Sequence, residues 1–464
     1  MTQEQALNIL KTGANVFLTG EPGAGKTHTI NNLVNYLRDR DIDLAVTAST
    51  GIAATHIGGM TIHSWSGIGI KNKLDKYDLD KIASSEYIVK RVNRTKVLII
   101  DEVSMLSHGM LDMVDLVCRE IKQKSEAFGG MQVVLVGDFF QLPPIVKKDF
   151  REKEYSEKQN SLIPQVGLVG NFAYNSGAWD RARFVVCYLS EQHRQDDKDL
   201  LSVLSAIRSN NISEKHFKHI KERQIDWGDM PENITKLYSH NLDVDRVNNT
   251  ELAKLEDEVK CFQMSGDGNE KMIETLKKGC LSPENLELKI GAVVMCTKNN
   301  QKERFVNGTL GVVTEFDEFS GHPVIKTKNG YSITVAPMDW SVEENGKSRA
   351  QITQIPLRLA WAMTVHKSQG MSLDAAVMDL SQVFEFGQGY VALSRVRRLS
   401  GLYLLGINDH AFKVHPEILE KDIYFKKNSE EAQVVFGKLS TTELKKMHDD
   451  FVTSFGGKVS GKKK

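Results

Sequence analysis

The chain has 464 residues, which at about 150 residues per domain predicts roughly three domains. Its hydrophobic fraction of 41% and charged fraction of 26% are those of an ordinary globular protein, and they exclude wholesale disorder, a collagen repeat and a disulfide-stapled miniprotein. Lysine plus arginine equals aspartate plus glutamate, at 60 each, so the overall charge gives no support to a nucleic-acid partner. Any such partner must bind local patches.

The cysteines and the start of the chain indicate the compartment. Five cysteines are spread out without a C-x-x-C pair, which predicts reduced thiols rather than a zinc site or a disulfide framework. The first ten residues lack the apolar core of a signal peptide, and no apolar run approaches the 18 or so residues that span a membrane. These features predict a cytoplasmic protein without a membrane partner.

Short apolar runs alternate with helical patterns over the first part of the chain. The runs at 15–20, 44–48, 97–100 and 133–136 predict buried strands, and residues such as 111–122 between them have helical spacing. This alternation favours an α/β fold with a parallel sheet covered on both faces. The polar stretch 68–96 interrupts it and predicts a small insertion.

The alternation starts again near residue 184 and includes the run 234–238, which predicts a second α/β unit. Short β-rich runs separated by glycines fill residues 256–350, a pattern typical of a small inserted antiparallel barrel. The domains predicted in this way are 1–67 with 97–183, the insertion 68–96, 184–255 with 351–425, the barrel 256–350, and a helical segment with a basic tail at 426–464.

The first run leads into a complete phosphate-loop motif, G-x-x-x-x-G-K-T, at residues 20–27. Gly23 and Gly25 allow backbone N–H groups to close around phosphate oxygens, and the following helix adds its positive N-terminus. Lys26 would reach the β- and γ-phosphates, and the Thr27 hydroxyl would bind Mg²⁺. The motif therefore predicts that the chain binds ATP with magnesium.

Polar residues that suit ATP hydrolysis follow two later strands. Asp101 and Glu102 come directly after the apolar run 97–100, which places both carboxylates at the sheet edge beside the phosphate loop. Asp101 would hold Mg²⁺, and Glu102 would orient and deprotonate the attacking water. Gln141 follows the run 133–136, and its uncharged amide could contact the γ-phosphate or the water.

Two clusters of small, polar and aromatic residues are candidates for binding a nucleic acid. Backbone amides and hydroxyls bind phosphates, and aromatic rings stack on bases. The alternatives are a core position for the tryptophan and a structural role for the second histidine. A basic run at 90–96 is a local patch for a polyanion. The candidates are Thr50, Gly51, His63 and Trp65 in the first cluster, and Thr364, His366, Lys367 and Ser368 in the second.

Taken together, these motifs resemble those of superfamily 1B DNA helicases, and in particular those of the Pif (petite integration frequency) family. Residues 111–135 resemble the segment that separates this family from its RecD-like relatives, with Ala127 in place of the usual proline. The other stretches that carry the resemblance are 20–27, 47–65, 98–106, 135–145, 189–195, 359–373 and 389–397. They run in order and cover nearly the whole chain.

The resemblance implies two RecA-like P-loop motor domains with parallel sheets, a wedge at 68–96 and a Src-homology-3-like barrel at 256–350. It implies an ATP- and Mg²⁺-dependent helicase that translocates 5′ to 3′ on single-stranded DNA and unwinds forked duplexes. A monomeric motor, nucleoid association in a bacterial cell, and a place in repair, recombination or replication also follow from it. G-quadruplexes and RNA–DNA hybrids are further candidate substrates.

The resemblance also implies roles for single residues. Gln3 matches the glutamine that recognises adenine, with Gln5 as the alternative, and Gly370 matches a nucleotide-contacting glycine. Arg194 and Arg395 match two arginines that close over the γ-phosphate from the second motor domain, a role that suits a planar, permanently charged guanidinium. Both nucleic-acid clusters are expected on one single-strand track.

Three other functions remain open from the sequence. The same motor could act on RNA, which the stimulation of ATPase activity by each nucleic acid would decide. The chain could be a binding module with a relic ATP site, although a relic should have lost some of the site residues. A helicase–nuclease subunit is the third, but no candidate nuclease cluster is visible.

Overall fold

The computed structural model describes residues 1–57, 59–69, 71, 73–144, 171–191, 197–231, 234–298, 300, 302–303, 305, 309–327, 330–344 and 347–459. These residues divide into two compact units. The first unit comprises residues 1–45, 63–191 and 414–464, and the second comprises 46–62 and 192–413.

The described helices begin with an eight-residue helix that precedes the phosphate loop and end with a pair at the C-terminus. They are α1 (Gln3–Leu10), α2 (Lys26–Arg38), α3 (Gly51–His56), α4 (Ile62–Ser66), α5 (Lys76–Ala83), α6 (Glu86–Arg94), α7 (His108–Lys122), α8 (Gly177–Ala182), α9 (Lys198–Arg208), α10 (Glu214–Lys221), α11 (Asn241–Ala253), α12 (Glu270–Gly279), α13 (Gln388–Leu393), α14 (Pro416–Gly437) and α15 (Thr441–Ser454).

The described strands are β1 (Val16–Gly20), β2 (Leu44–Ala48), β3 (Met60–Thr61), β4 (Val97–Asp101), β5 (Gln132–Val136), β6 (Val185–Leu189), β7 (Lys236–Tyr238), β8 (Lys260–Gln263), β9 (Ser265–Gly268), β10 (Asn285–Leu288), β11 (Val293–Cys296), β12 (Leu310–Phe316), β13 (Pro323–Thr327), β14 (Ser332–Thr334), β15 (Met338–Glu344), β16 (Lys347–Gln354), β17 (Leu357–Leu359), β18 (Ala362–Thr364), β19 (Ala376–Leu380) and β20 (Leu402–Ile407).

The first sheet has the strand order β3-β2-β4-β5-β1-β6. β1 pairs in parallel with β5 and with β6, and β4 pairs in parallel with β5. Their runs are apolar because both faces of such a sheet are covered, and β1 and β5 are buried along their whole length. The predicted strands at 15–20, 44–48, 97–100 and 133–136 are therefore confirmed to within a residue or two.

β6 differs from the sequence-based expectation. The run near residue 184 predicts the start of the second unit, yet β6 pairs with β1 from Val16 opposite Val185 to Gly20 opposite Leu189. A short apolar strand fits either of two parallel sheets equally well, so its sequence does not indicate which of the two sheets it joins. Residues up to 191 consequently belong to the first unit.

The C-terminal helices also belong to the first unit, where α14 packs on an aromatic cluster. Phe425 on α14 lies 5.1 Å from Phe17 of β1, ring centroid to centroid, and 6.0 Å from Phe139 after β5. Trp179 of α8 packs edge-on against Phe17 at 5.1 Å. Aromatic rings bury large areas in such contacts, so α14 completes this core instead of forming a separate segment from residue 426.

The insertion at 68–96 consists of α5 and α6, and α6 is anchored in the first unit. Arg91, Ile88 and Val92 are buried, and the Arg91 guanidinium donates to the Ser64 carbonyl at 3.0 Å. Arg91 was expected in a basic patch for a polyanion; its burial corrects that expectation. A buried charged group needs a hydrogen-bond acceptor, and the Ser64 carbonyl is one for this guanidinium.

The second unit contains a parallel sheet of order β18-β7-β19-β20. The residues inserted between β7 and β18 form antiparallel sheets of order β14-β13-β12-β11-β17, β15-β16-β9 and β10-β8, together with α12. The core of this insertion is apolar, with Leu288, Val294, Val313, Ile325 and Leu357 among its buried members. Two parallel α/β units with a β-rich insertion confirm the predicted fold class, and a Src-homology-3-like barrel stays a prediction.

Candidate active site and nucleic-acid interface

The phosphate loop lies at the carboxyl end of β1. Gly23 and Gly25 have φ of 91° and 87°, a left-handed backbone that favours glycine, and α2 begins directly after Gly25 at Lys26. The Lys26 Nζ donates to the Gly20 carbonyl at 2.7 Å and to the Glu21 carbonyl at 3.1 Å. The Lys26 ammonium is thus hydrogen-bonded to the backbone of the phosphate loop itself. Thr27 is exposed at the start of α2.

Three strand ends gather the other predicted residues at the same edge. β4, β5 and β1 are neighbours and parallel, with Ile100 opposite Leu135 and Leu18 opposite Val136. The carboxyl ends of these strands carry the phosphate loop, the Asp101–Glu102 pair and the turn to Gln141. The sheet therefore brings Lys26, Asp101, Glu102 and Gln141 together as the sequence predicts.

Asp101 and Glu102 have unusual environments. The Glu102 backbone N–H donates to Asp101 Oδ1 at 2.8 Å, and Glu102 itself has φ 52° and ψ 46°. Burial raises the pKa of the Asp101 carboxyl above its ordinary value, whereas the Glu102 N–H and the Lys26 ammonium act to lower that pKa. A half-buried carboxylate near a lysine and a strained glutamate are features of a reactive site rather than of a solvated strand end.

The turn after β5 is built around Asp138. Asp138 is buried, its Oδ1 accepts the Phe140 N–H at 3.2 Å, and its carbonyl accepts the Gln141 N–H at 3.0 Å. These bonds fix the buried Gln141 at a defined position on the strand-end edge.

The two glutamine candidates in α1 have different surroundings. Gln5 closes a capping box, since Gln5 Oε1 accepts the Thr2 N–H at 2.9 Å and Thr2 Oγ1 accepts the Gln5 N–H at 3.2 Å. Gln3 lies against the phosphate loop, where its Nε2 donates to the Ala24 carbonyl at 3.3 Å. A side chain at Gly25 would collide with the Gln3 amide. These contacts favour Gln3 over Gln5.

The donor set fits Mg²⁺ with a nucleotide. Mg²⁺ prefers oxygen ligands and is usually held by one or two protein groups together with substrate phosphates. The Thr27 hydroxyl and the Asp101 carboxylate are such groups, and no cluster of three or more candidate ligands occurs among the described histidines, cysteines and acids. The site thus suits a nucleotide-borne magnesium ion better than a dedicated metal centre.

Two candidate arginines have different outcomes. Arg194 lies outside the described residues. Arg395 is 1% exposed, and its guanidinium donates to the carbonyls of Val391, Ser368 and Met371 and to Ser394 Oγ. Ser368 and Met371 lie on either side of Gln369 and Gly370, and Gly370 has a φ of 79°. Arg395 therefore holds the turn that contains Gly370.

The first nucleic-acid cluster is partly available for contact. Thr50 caps α3, since its Oγ1 accepts the Ala53 N–H at 3.2 Å, and Gly51 packs so closely on Gly279 that a Cβ would overlap the Gly279 backbone. His63 is half-buried, and burial lowers its pKa. Trp65 is 1% exposed, so it is a core residue and presents no face for base stacking. This removes Trp65 from the stacking candidates.

The second cluster forms a turn after β18. Thr364 and Ser368 are buried and serve the turn itself: Thr364 Oγ1 accepts the Lys367 N–H at 3.3 Å, and Ser368 Oγ donates to the Val365 carbonyl at 2.7 Å. His366 and Lys367 are half-exposed. His366 Nε2 lies 3.2 Å from Glu385 Oε2, a partner that sequence reasoning missed.

Lys367 lines a polar cavity of about 720 Å³ in the second unit. Lys277, Lys278 and Arg358 also line it, together with the acids Asp245, Glu284 and Glu287, and Lys277 pairs with Glu284 at 2.6 Å. The Arg358 Nε is buried and has no hydrogen-bond acceptor among the described residues. Burial and Arg358 lower the pKa of Lys367, while Asp245 acts in the opposite direction. The buried Arg358 Nε and the Lys367 ammonium make their side of the cavity suitable for a phosphate group.

The site and the fold define a P-loop ATPase built from two parallel α/β units. A family model described as PIF1-like helicase matches residues 2–215, and one for the 2B domain of the DNA helicase Pif1 matches residues 271–316. The chain therefore belongs to the PIF1-like helicase family; it is an ATP-dependent DNA helicase that hydrolyses ATP.

Three relatives illustrate this similarity. The ATP-dependent DNA helicase Pif1 of Psychrobacter sp. (strain PRwf-1) is 40% identical over an alignment that covers 99% of this chain and 76% of the relative. A Bacteroides sp. Pif1 in complex with ADP-AlF4 has a TM-score of 0.79 at 29% identity, covering 92% of this chain and 96% of that one. Bacteroides Pif1 bound to ssDNA has a TM-score of 0.64 at 30% identity, covering 93% and 97%.

The similar structures support two RecA-like motor domains, as the resemblance implies. Among the described residues, no helix is both long and apolar enough to cross a membrane.

Proposed function

We propose that this helicase translocates 5′ to 3′ on single-stranded DNA and unwinds forked duplexes. The observation that carries the proposal is the presence, in one chain, of a phosphate loop beside Asp101 and Glu102 at one edge of the first sheet and of a half-exposed turn, 366–367, after a strand of the second. The Bacteroides relative bound to ssDNA supports single strands as the substrate. The direction of movement follows from the family resemblance.

In the proposed hydrolysis, Lys26 exchanges its two backbone carbonyls for phosphate oxygens when ATP binds. Its ammonium then counters the charge that develops on the transferred phosphoryl group. Glu102 orients the attacking water and accepts its proton, and Gln141 contacts the water or the γ-phosphate. Gln3 holds the adenine, as the family resemblance implies, and Gln5 remains engaged in capping α1.

Mg²⁺ would be held by Thr27 and Asp101, and when bound it would neutralise phosphate charge in the transition state. Arg194 and Arg395 supply further positive charge to the γ-phosphate, with Gly370 in the adjoining turn. To do so, Arg395 must exchange some of its backbone acceptors for phosphate oxygens. This exchange would link the nucleotide to the turn that also carries His366 and Lys367.

The DNA strand is held by Thr50, Gly51 and His63 and by His366 and Lys367, while Thr364 and Ser368 shape the second turn. The Arg358 cavity extends the phosphate-binding surface next to Lys367. A monomeric motor, G-quadruplex and RNA–DNA hybrid substrates, a role in repair, recombination or replication, and a cytoplasmic, nucleoid-associated location belong to the same proposal.

The experiment that tests the direction compares duplexes with either a 5′ or a 3′ single-stranded tail. Unwinding that requires the 5′ tail and ATP is the expected result, with Lys26→Ala as the inactive control. Efficient unwinding from a 3′ tail would contradict the proposed direction. Stimulation of ATP hydrolysis by single-stranded RNA as strong as that by DNA would favour the RNA motor instead.

A further inference from the structure

An aromatic pair lies at the carboxyl edge of the sheet in the second unit. Phe384 and His240 are stacked, with ring centroids 5.0 Å apart and an interplanar angle of 14°. Phe384 is 59% exposed, although it is a large apolar side chain. Neither residue has a role in the hydrolytic edge or in the candidate DNA clusters.

The sheet topology places this pair beside the second nucleic-acid cluster. β18, β7 and β19 are neighbouring parallel strands, with Thr364 opposite Tyr238 and Tyr238 opposite Asp379. His366, His240 and Phe384 each follow one of these strands within a few residues. The three side chains therefore belong to adjacent strand ends at one edge, where α/β sheets bind their ligands.

Hydrogen bonds fix the pair to that edge. Gln388 is fully buried; its Oε1 accepts the Phe384 N–H at 3.3 Å, and its Nε2 donates to the Ser239 carbonyl at 3.4 Å. Gln388 thus ties the two segments that carry the rings. Glu385, the next residue along the chain, binds His366 at 3.2 Å. The position of Phe384 is consequently set by three strand ends rather than by a loose loop.

Phe384 and the neighbouring aromatic residue Phe386 have different surroundings. Phe386, two residues further on, is half-buried and packs on His410 with centroids 4.9 Å apart. The chain therefore has an aromatic residue here that packs inward, and another whose ring remains available to a ligand.

We propose that Phe384 is a stacking surface for an unpaired nucleobase, with His240 supporting its other face. The inference rests on the proposed function, since it adds a base contact to a track that otherwise binds phosphates. Every base has a π-face, so stacking holds a strand without selecting its sequence, as a translocating motor requires. The position next to His366 makes a nucleobase the occupant that fits best.

The test uses a dT oligonucleotide and the same oligonucleotide with abasic sites. Phe384→Ala should bind the normal strand about tenfold more weakly than the wild type does, and the abasic strand equally well, because stacking needs a base. Phe384→Tyr should restore the affinity. Phe319→Ala removes a phenylalanine that is 99% exposed in the insertion, and this matched control should bind both strands like the wild type.

A second measurement separates stacking from a folding defect. The fluorescence of Phe384→Trp should be quenched by the normal oligonucleotide and not by the abasic one. An unchanged affinity of Phe384→Ala, or equal losses on both strands, overturns the inference and leaves the proposed function intact. A wild-type protein that binds neither strand overturns the proposed function itself.

Discussion

Glu102 has a backbone conformation that few residues with a side chain adopt. Its φ of 52° lies in the left-handed region, and such strain costs about 1–3 kcal/mol. The Asp101 carboxylate, which accepts its N–H, and the short 3₁₀ turn Val103–Met105 hold it there. Since strain of this kind clusters at reactive sites, the conformation supports Glu102 as the general base independently of the sequence motif.

Glu102→Gln tests this role. The amide keeps the size of the side chain but cannot accept the proton, so turnover should fall by about 10²–10⁴ while ATP still binds. DNA-stimulated ATP hydrolysis and nucleotide affinity are the measurements. Glu120→Gln changes an exposed glutamate on α7 and is the control. Turnover of Glu102→Gln close to that of the wild type would show that another group activates the water.

Arg395 and Arg397 form a matched pair for the arginine prediction. Arg395→Lys keeps a positive charge but loses the fork that donates to Ser368 and Met371, so both turnover and the free energy of unfolding should fall, the latter by about 1–3 kcal/mol. Arg397 is an exposed residue that pairs with Asp374, and Arg397→Lys should change neither quantity by more than about 0.5 kcal/mol or twofold. Denaturant unfolding and steady-state ATP hydrolysis are the measurements. If Arg395→Lys and Arg397→Lys behave identically, Arg395 has no special role in the site.

Single residues also show what a sequence leaves undetermined. The phosphate loop and the carboxylates were predictable because their spacing and strand context are local. Trp65 and Arg91 were not, because tryptophan and arginine occur both in cores and on binding surfaces, and only tertiary packing buries them here. The stacked position of Phe384 could not be predicted either, because its ring partner His240 is about 140 residues away in the sequence and the two meet only in the folded chain.

At the scale of elements, α5 and α6 have different roles within the predicted wedge. α6 is fixed by buried Ile88, Arg91 and Val92, whereas Tyr77 on α5 is among the most exposed aromatic residues. A rigid base and an exposed tip suit a structure that blocks one strand of a fork. The insertion therefore has a part that can be altered without disturbing its anchor.

Tyr77→Ala should reduce unwinding of a 5′-tailed fork several-fold and leave ATP hydrolysis stimulated by single strands nearly unchanged, since the loss concerns strand separation rather than translocation. Trp227→Ala, at a similarly exposed aromatic residue outside the insertion, is the control and should affect neither assay. Equal losses of unwinding and hydrolysis in Tyr77→Ala would contradict a wedge role for α5.

α15 is a second element whose role is testable. Its Phe451 ring lies where a Cβ of Gly13 would be, and its His448 Nε2 donates to the Asn8 carbonyl at the end of α1 at 2.9 Å. Burial lowers the pKa of His448, and the pKa values of His63 and His415 are lowered for the same reason. The folded first unit therefore favours neutral histidines.

The sign of the resulting pH dependence is fixed. The unfolded histidines titrate near their ordinary pKa of 6.5, so the stability they confer is complete above that pH and declines as the pH falls towards the lowered folded values. His448→Gln, whose amide can still donate to Asn8, should make this decline shallower. Unfolding free energies measured from about pH 7.5 to 5 test it; a slope identical to that of the wild type would contradict a neutral, half-buried His448.

For the whole molecule, balanced charge means that DNA affinity must come from local cations. Single-strand binding should weaken with salt, with a logarithmic slope of about −0.7 per phosphate neutralised. Lys367→Ala should lower the magnitude of that slope by about 0.7, whereas Lys427→Ala on α14 should leave it unchanged. Titrations at several salt concentrations provide the slopes. A salt-independent affinity would exclude a phosphate-binding track.

The sequence was sufficient for the two α/β units and the β-rich insertion, since strand length and alternation are local properties. It was insufficient for the sheet that β6 joins and for the destination of α14 and α15. Those depend on partners far along the chain, such as Val16 for Val185 and Phe17 for Phe425. Pairings of this range leave no signature in any short window.

The contact between Phe425 and Phe17 has a consequence for synthesis on the ribosome. The first unit begins with residue 1, yet its aromatic core is closed by a helix that emerges after the roughly 220 residues of 192–413. At a translation rate of about 5–20 residues per second, about 10–40 s pass before Phe17, Phe139 and Trp179 gain that partner. The nascent chain should therefore recruit chaperones during this interval, and a ribosome-bound chain stalled at residue 413 should be cleaved by protease within the first unit, whereas one carrying residues 1–464 with a linker should resist.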